Sequence, residues 1–315
     1  LRFCRSIRIA MHILLLFVDG VGLGVQDPER NPFLVASMPA WASLFGSIPT
    51  KENGHYSNER ALLVPTDTTL GVPGTPQSGT GQTTIFTGVN APAAIGVHEG
   101  PYPNATLREI IAQGNVFQHL RSQGFSAELG NAYPPIFFER LARNKARRTA
   151  IMQAALSAGV RMRDIHDLRS GHAVSAMSLT NRVWVEHGAP VPLVTAREAG
   201  RNLMRLAQEN DFTAFEYFLT DAAGHKNDHD WILEVLADLD EFWGGLLDEM
   251  NPTETLLLMT SDHGNIEDWT VKGHTLNPVP TILVGTRCQE IAPRIHSLVD
   301  ITPAIIHLLA GAHAA

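Results

Sequence analysis

Three short, largely apolar runs, each followed within a few residues by an aspartate, restrict this chain more than any other feature. Ile13–Val18 (ILLLFV) runs directly into Asp19, Phe215–Leu219 (FEYFL) precedes Asp221, and Thr255–Met259 (TLLLM) precedes Asp262. Runs of this length and composition suit strands buried on both faces of a parallel sheet. Amphipathic helical stretches at Ala196–Asn210 and Ile232–Met250 alternate with them. The alternation implies an α/β sandwich, three layers with a mostly parallel central sheet. In such sheets ligands gather at the carboxyl ends of the strands, where all three aspartates are expected.

The loop after the third run carries the densest chemistry, TSDHGNIEDWTVKGHTLNPVP over Thr260–Pro280. Asp262 and His263 are adjacent, and His274 lies across the loop. Adjacent residues on an extended chain point in opposite directions, so both can reach one cation only if the strand has ended. Gly264 and Asn265 permit that turn. Carboxylate and imidazole donors together suit a divalent metal, whereas the plain alternative is a strand-to-loop turn with a surface histidine. Asp221 and His225, four residues apart after a strand end, can converge on one ion in the same way. Asp228 and His229 lie nearby as outer partners or bystanders. Asp19 is open to two readings, metal ligand or helix N-cap.

Gly71–Asn90 (GVPGTPQSGTGQTTIFTGVN) passes from proline and glycine into a helix start rich in hydroxyls. Gly79–Thr83 looks like a phosphate-binding loop, but Gln82 stands where its lysine belongs and Pro76 where its first glycine belongs. A hydroxyl nucleophile at a helix N-terminus remains, with Ser78 the choice; the alternative is that Ser78 only caps the helix.

The formal net charge of -8 argues against nucleic acid as a partner. It leaves room for a small phosphorylated molecule, because bound cations supply positive charge locally. Two cysteines, Cys4 and Cys288, make neither a disulfide framework nor a thiolate cage, which fits a reducing, cytoplasmic setting. Residues 1–10 are read as an extension outside the fold, and no stretch has the length of a membrane span. Residues 11–130 and 195–315 are expected to form the core. Residues 131–194, rich in arginine, are expected to form a small inserted cap, its arginines either gripping an anion or lying on a solvated face.

Taken together, FVDGVGLG around Asp19, PQSGTGQ around Ser78, DAAGH from Asp221 to His225, SDHGN at Asp262 and His263, and GHTLNPVP at His274 resemble the alkaline phosphatase superfamily. Within it they are most similar to the branch of cofactor-independent phosphoglycerate mutase and phosphopentomutase. The closing LVDITPAIIHLL resembles that family's C-terminal helix, and the middle of the chain matches no particular member. The resemblance implies one ion held by Asp221, His225 and His274. It implies a second held by Asp19, Asp262 and His263, with the Ser78 oxygen completing its shell. Ser78 is then the nucleophile and Thr80 the fallback. Gln82 departs from the mutase pattern, which bears on mutase activity more than on the metal site.

The expected activity is hydrolysis of phosphomonoesters through a phosphoserine, with two divalent ions, Mn2+ or Zn2+. The runner-up is a phosphomutase of the phosphoglycerate mutase or phosphopentomutase type, which needs a cap that excludes water. A noncatalytic metal- or ligand-binding relative is a third reading, opposed by the presence of every expected ligand. No Cys/Ser-x-Pro-x-Arg motif surrounds Ser78, which disfavours a sulfatase.

Overall fold

The computed structural model describes residues 11–314, so the expected extension at residues 1–10 lies outside the described residues. Its strands are β1 (His12–Val18), β2 (Tyr56–Ser57), β3 (Ala61–Thr66), β4 (Ala127–Leu129), β5 (Phe212–Tyr217), β6 (Thr255–Thr260) and β7 (Val279–Gly285). Among the described residues they form one sheet in the order β2-β3-β7-β6-β1-β5-β4. The β6-β1-β5-β4 part is parallel, whereas β7, β3 and β2 pair antiparallel. The expected α/β architecture with a mostly parallel centre is therefore present.

β1 lies in the middle, and its alternation builds both sides of the molecule. Ile13, Leu15 and Phe17 join an apolar cluster that includes Phe86, Phe117 and Ile305. Leu14, Leu16 and Val18 join a second cluster with Met204, Phe242 and Trp243. Successive side chains of a strand point to opposite faces, so a continuous apolar run is what a strand between two helical layers requires. Each such side chain contributes roughly 1.5–3 kcal/mol when fully buried. On the second face the helices Ala196–Gln208 and His229–Glu249 touch backbone to backbone, because a Cβ on Gly200 or Gly245 would overlap main-chain atoms of the other helix.

Residues 31–67 read from their sequence as loop-rich and mixed, with one short helix near Ala40–Phe45; the helix is present at Pro39–Phe45, and β2 and β3 lie there as well. Proline and charged residues interrupt this stretch, and it forms the antiparallel edge, where proline is tolerated. The strand expected at Phe215–Leu219 runs instead over Phe212–Tyr217, and Leu219–Lys226 is helical. Asp221 and His225 are thus one helical turn apart rather than on a strand-following loop.

Residues 130–195 contain the helices Pro135–Ala142, Ala150–Ser157, Ile165–Arg169 and Arg182–Glu186. Ala150, Ile151, Ala154 and Ala155 pack into the cluster of Phe117 and Phe212. Leu168, Ala173, Trp184 and Val191 make a small apolar cluster with Ala132. No described helix is long and apolar enough to cross a membrane.

Candidate metal centre

The parallel strands bring the predicted residues to one edge of the sheet. Asp19 follows β1 and is 7% exposed; Asp262 and His263 follow β6 and are fully buried. Gly20 takes a positive φ of 71° beside Asp221, where a Cβ would strike the aspartate, so only glycine lets the two loops meet. Beyond Thr260 the chain curls as the turn residues permit. The Ser261 hydroxyl donates to the His263 carbonyl at 3.1 Å and accepts from the Val21 amide at 2.9 Å.

Asp221 sits in the first turn of the Leu219–Lys226 helix, with its carboxylate 3.3 Å from His225 Nε2 and 3.6 Å from His274 Nε2. His225 and His274 bring their Nε2 atoms to 3.0 Å. His274 Nδ1 donates to the Pro76 carbonyl at 2.7 Å, which fixes the tautomer and leaves Nε2 as a lone-pair donor. The His263 and His274 rings stack with centroids 3.6 Å apart. His263 Nε2 lies 3.5 Å from Asp19 and 3.6 Å from Asp262.

Ser78 occupies the first position of the Ser78–Thr87 helix rather than its cap, which is Gln77 and makes no side-chain cap bond. Its hydroxyl oxygen is 3.0 Å from His263 Nε2. Thr80 is different: its hydroxyl donates to the Gln77 carbonyl at 3.1 Å and accepts from the Glu99 amide at 3.2 Å. Asp228 and His229 stay apart from the cluster's bonds. Asp228 caps the His229–Glu249 helix, and His229 stacks on Trp269 at 4.3 Å.

Three side chains that the sequence reading did not place in the site support it. Gln82, one turn beyond Ser78, donates from Nε2 to Asp19 at 3.2 Å and to Asp262 at 3.3 Å. Asn265 donates to the Asp221 carboxylate at 2.7 Å. The fully buried Glu267 accepts from the amides of Gly22 and Asn265 and from Thr275 and Asn277, tying the two loops together. The signal for Gln82 was its helical spacing from Ser78, which places i and i+4 on one face.

The electrostatics call for cations. Burial, then the neighbouring Asp262 and Asp221 carboxylates, holds the Asp19 carboxyl well above its usual range. Burial alone would raise Asp221 too, but the His225 hydrogen bond, the nearby His263 and the Asn265 amide bring it down to about 2. The same Asp221 bond raises His225, while burial and the neighbouring His263 lower His274.

Asp221, His225 and His274 offer donor atoms within 4.8 Å of one another, as do Asp19, Asp221 and His263. Asp19 Oδ1 is buried without a hydrogen-bond partner. Among the described residues the ion-pair partners of Asp19, Asp221 and Asp262 are histidines, with no lysine or arginine. Unscreened carboxylates of this kind, with imidazole lone pairs beside them, fit divalent metal ions.

Several arginines of residues 131–194 fall into two groups. Arg161 and Arg163 pair with Asp167 and Glu128, whereas Arg140, Arg143 and Arg147 line a cavity of about 720 Å³.

The chain is similar to several known proteins. A family model described as the Metalloenzyme superfamily matches residues 11–312. The chain is 29% identical over 124 residues to the 2,3-bisphosphoglycerate-independent phosphoglycerate mutase of Moorella thermoacetica, over 38% of this chain and 24% of that protein. It is 26% identical over 154 residues to the enzyme of the same name from Pyrococcus abyssi, over 49% of this chain and 33% of that protein. The matched stretches thus take in about a quarter to a third of these relatives' own length. Among solved structures, a protein from Pyrococcus horikoshii superposes with a TM-score of 0.58 at 16% identity, covering 96% of this chain and 97% of that one. Alkaline phosphatase from the Antarctic bacterium TAB5 superposes with a TM-score of 0.52 at 13% identity, covering 97% and 99%. These likenesses establish an alkaline phosphatase-like fold.

Proposed function

The chain belongs to the metalloenzyme superfamily, and from that premise we propose that it hydrolyses phosphomonoesters through a phosphoserine at Ser78. The observation that carries the reading is the Ser78 hydroxyl at 3.0 Å from His263, beside three buried or half-buried aspartates at one sheet edge. We assign one divalent ion to Asp221, His225 and His274, and a second to Asp19, Asp262 and His263. When bound, such a pair supplies the Lewis acidity that makes a serine hydroxyl nucleophilic near neutral pH and offsets charge on the phosphoryl oxygens. Manganese and zinc suit the mixed oxygen and nitrogen donors.

The protein's own groups do the rest. The start of the Ser78–Thr87 helix directs amide N–H groups and the positive end of the helix dipole toward the phosphoryl group. Gln82 holds the Asp19 and Asp262 carboxylates in register with Ser78. The Ser78 oxygen forms a bond to phosphorus as the bond to the leaving alcohol breaks. Water then attacks the phosphoserine, and the Ser78 oxygen leaves as phosphate departs. Residues 131–194 serve as the cap over the site.

The experiment is metal-dependent turnover of an aryl phosphate such as p-nitrophenyl phosphate, measured with manganese and with zinc. Turnover that Ser78→Ala abolishes supports the reading. Absence of turnover with both ions bound would sink it and favour a binding protein.

Mutase activity is a second reading, favoured by the names of the curated relatives. Incubation with 3-phosphoglycerate separates the two, since a mutase forms the 2-isomer without releasing phosphate.

A further inference from the structure

Beside the candidate metal centre lies the cavity of about 720 Å³, and two of its lining residues each carry a buried polar atom that no protein atom satisfies. Glu216, on β5 and 2% exposed, uses Oε2 to accept from the Thr149 hydroxyl at 3.1 Å, while Oε1 has no partner. The Tyr133 hydroxyl is also buried and unpartnered. An unmet polar atom in an apolar setting is costly, and two such atoms on residues that line one cavity mark it as a place for a polar ligand edge. Burial raises the Glu216 carboxyl to about 8, so it carries a proton near neutral pH and can both donate and accept.

Aromatic and basic side chains line the cavity, Arg140, Arg143, Lys145 and Arg147 beside the one further acid, Glu139. Phe137 stacks on Tyr133 with centroids 4.4 Å apart, and Arg147 lies over the Tyr102 ring at 5.8 Å. Two walls adjoin the chemistry. The Tyr102 backbone packs against Gly79, next to Ser78, and Phe218 is the N-cap of the helix that carries Asp221 and His225.

Resting on the phosphomonoesterase reading, we infer that this cavity takes the leaving group of the substrate, and that this group is a planar ring with hydrogen-bonding edges, of the nucleoside type. A cavity in the range of roughly 300–1,000 Å³ suits a ligand of that size. A three-carbon acid phosphate would leave most of it to water and would leave Glu216 and Tyr133 unmet. A flat ring matches the aromatic lining, and its edge supplies the donors and acceptors that Glu216 and Tyr133 lack.

The test compares kcat/KM for a 5′-nucleoside monophosphate, phenyl phosphate and 3-phosphoglycerate on the full chain with manganese. It uses the wild type, Tyr133→Phe, Glu216→Met and Phe137→Ala. The nucleoside monophosphate is expected to exceed both other esters by about tenfold or more, as hydrogen-bonding sites discriminate strongly. Its advantage over phenyl phosphate is expected to fall roughly fivefold to tenfold in each near-isosteric variant, the effect of one lost hydrogen bond. Phe137→Ala, on the wall, gives an independent reading should either of those fail to fold. An advantage unchanged in the folded variants, or 3-phosphoglycerate as the best substrate, overturns the inference and leaves the phosphatase reading intact. If no ester is turned over, the phosphatase reading fails and calorimetric binding of the nucleoside monophosphate to Ser78→Ala decides the cavity's role. Binding that Tyr133→Phe weakens upholds it, and no binding overturns it.

Discussion

The Ser78 hydroxyl oxygen lies 3.0 Å from Nε2 of His263, joining the start of a buried helix to the loop beyond the central strand β6 across 185 residues of sequence. Neither residue is placed by its neighbours in the chain. Both are placed by the sheet, whose parallel strands deliver their carboxyl ends to one side.

Removal of that hydroxyl separates chemistry from architecture. Ser78→Ala is expected to lower kcat for an aryl phosphate by roughly a thousandfold or more while metal content stays near the wild-type value. Thr80→Ala should retain turnover and lose about 1 kcal/mol of stability, because the Thr80 hydroxyl bonds only to backbone. Steady-state kinetics with elemental analysis checks both. Full activity in Ser78→Ala would exclude Ser78 as nucleophile.

Metal removal should lower the melting temperature. A cation that binds only the folded state adds about 2.7 kcal/mol at a hundredfold excess over its Kd. Chelation is expected to reverse that gain, and His274→Ala to remove part of it, since His274 presents its Nε2 to Asp221. Thermal melts with and without manganese measure the effect. Identical melts would exclude a metal centre in the folded protein.

Gln82 is expected to matter most when no cation is present. Its amide donates to both Asp19 and Asp262, so Gln82→Glu replaces that donor with a fourth carboxyl group. The variant should melt several degrees below wild type in chelator, and the gap should narrow in manganese. A gap that ignores metal would mean that Gln82 acts only through packing.

Glu216 makes stability depend on pH. Burial lifts its carboxyl from 4.5 to about 8 in the folded state. Between those values the folded protein holds a proton that the unfolded chain has released, so this group's contribution declines as pH rises through that window. Glu216→Gln keeps the shape of the protonated acid without its titration. In chelator, urea unfolding should show the variant gaining on wild type between pH 5 and pH 8.5, by on the order of 3 kcal/mol. A difference that stays constant with pH would contradict the shift.

Much of the candidate site's placement was legible because its residues lie where a buried apolar run stops. A continuous run such as ILLLFV belongs inside a parallel sheet, which puts Asp19 and Asp262 at strand ends, while their assignment to a metal came from the resemblance. Asp221 was found for a partly mistaken reason. Phe218 and Leu219 extend the apolar run of β5, so local composition could not show that the chain had already turned into a helix at Leu219. β3 was missed because Pro65 and polar neighbours mask a strand next to the sheet's edge, whose pairing with β7 is set by tertiary contact. Gln82 was read against a motif rather than along a helix. Its role depends on two carboxylates 63 and 180 residues away. Glu267 and Glu216 announce themselves only once burial is known.

The central position of β1 has a consequence for how the molecule comes into being. β1 is flanked by β5 and β6, so this strand has no neighbour on either side until residues 212–260 have been made. Pairings this distant in sequence are slow to close. Until then its apolar side chains lack their partners, and Asp19 waits at its tip for the later strands to bring Asp221, Asp262 and His263.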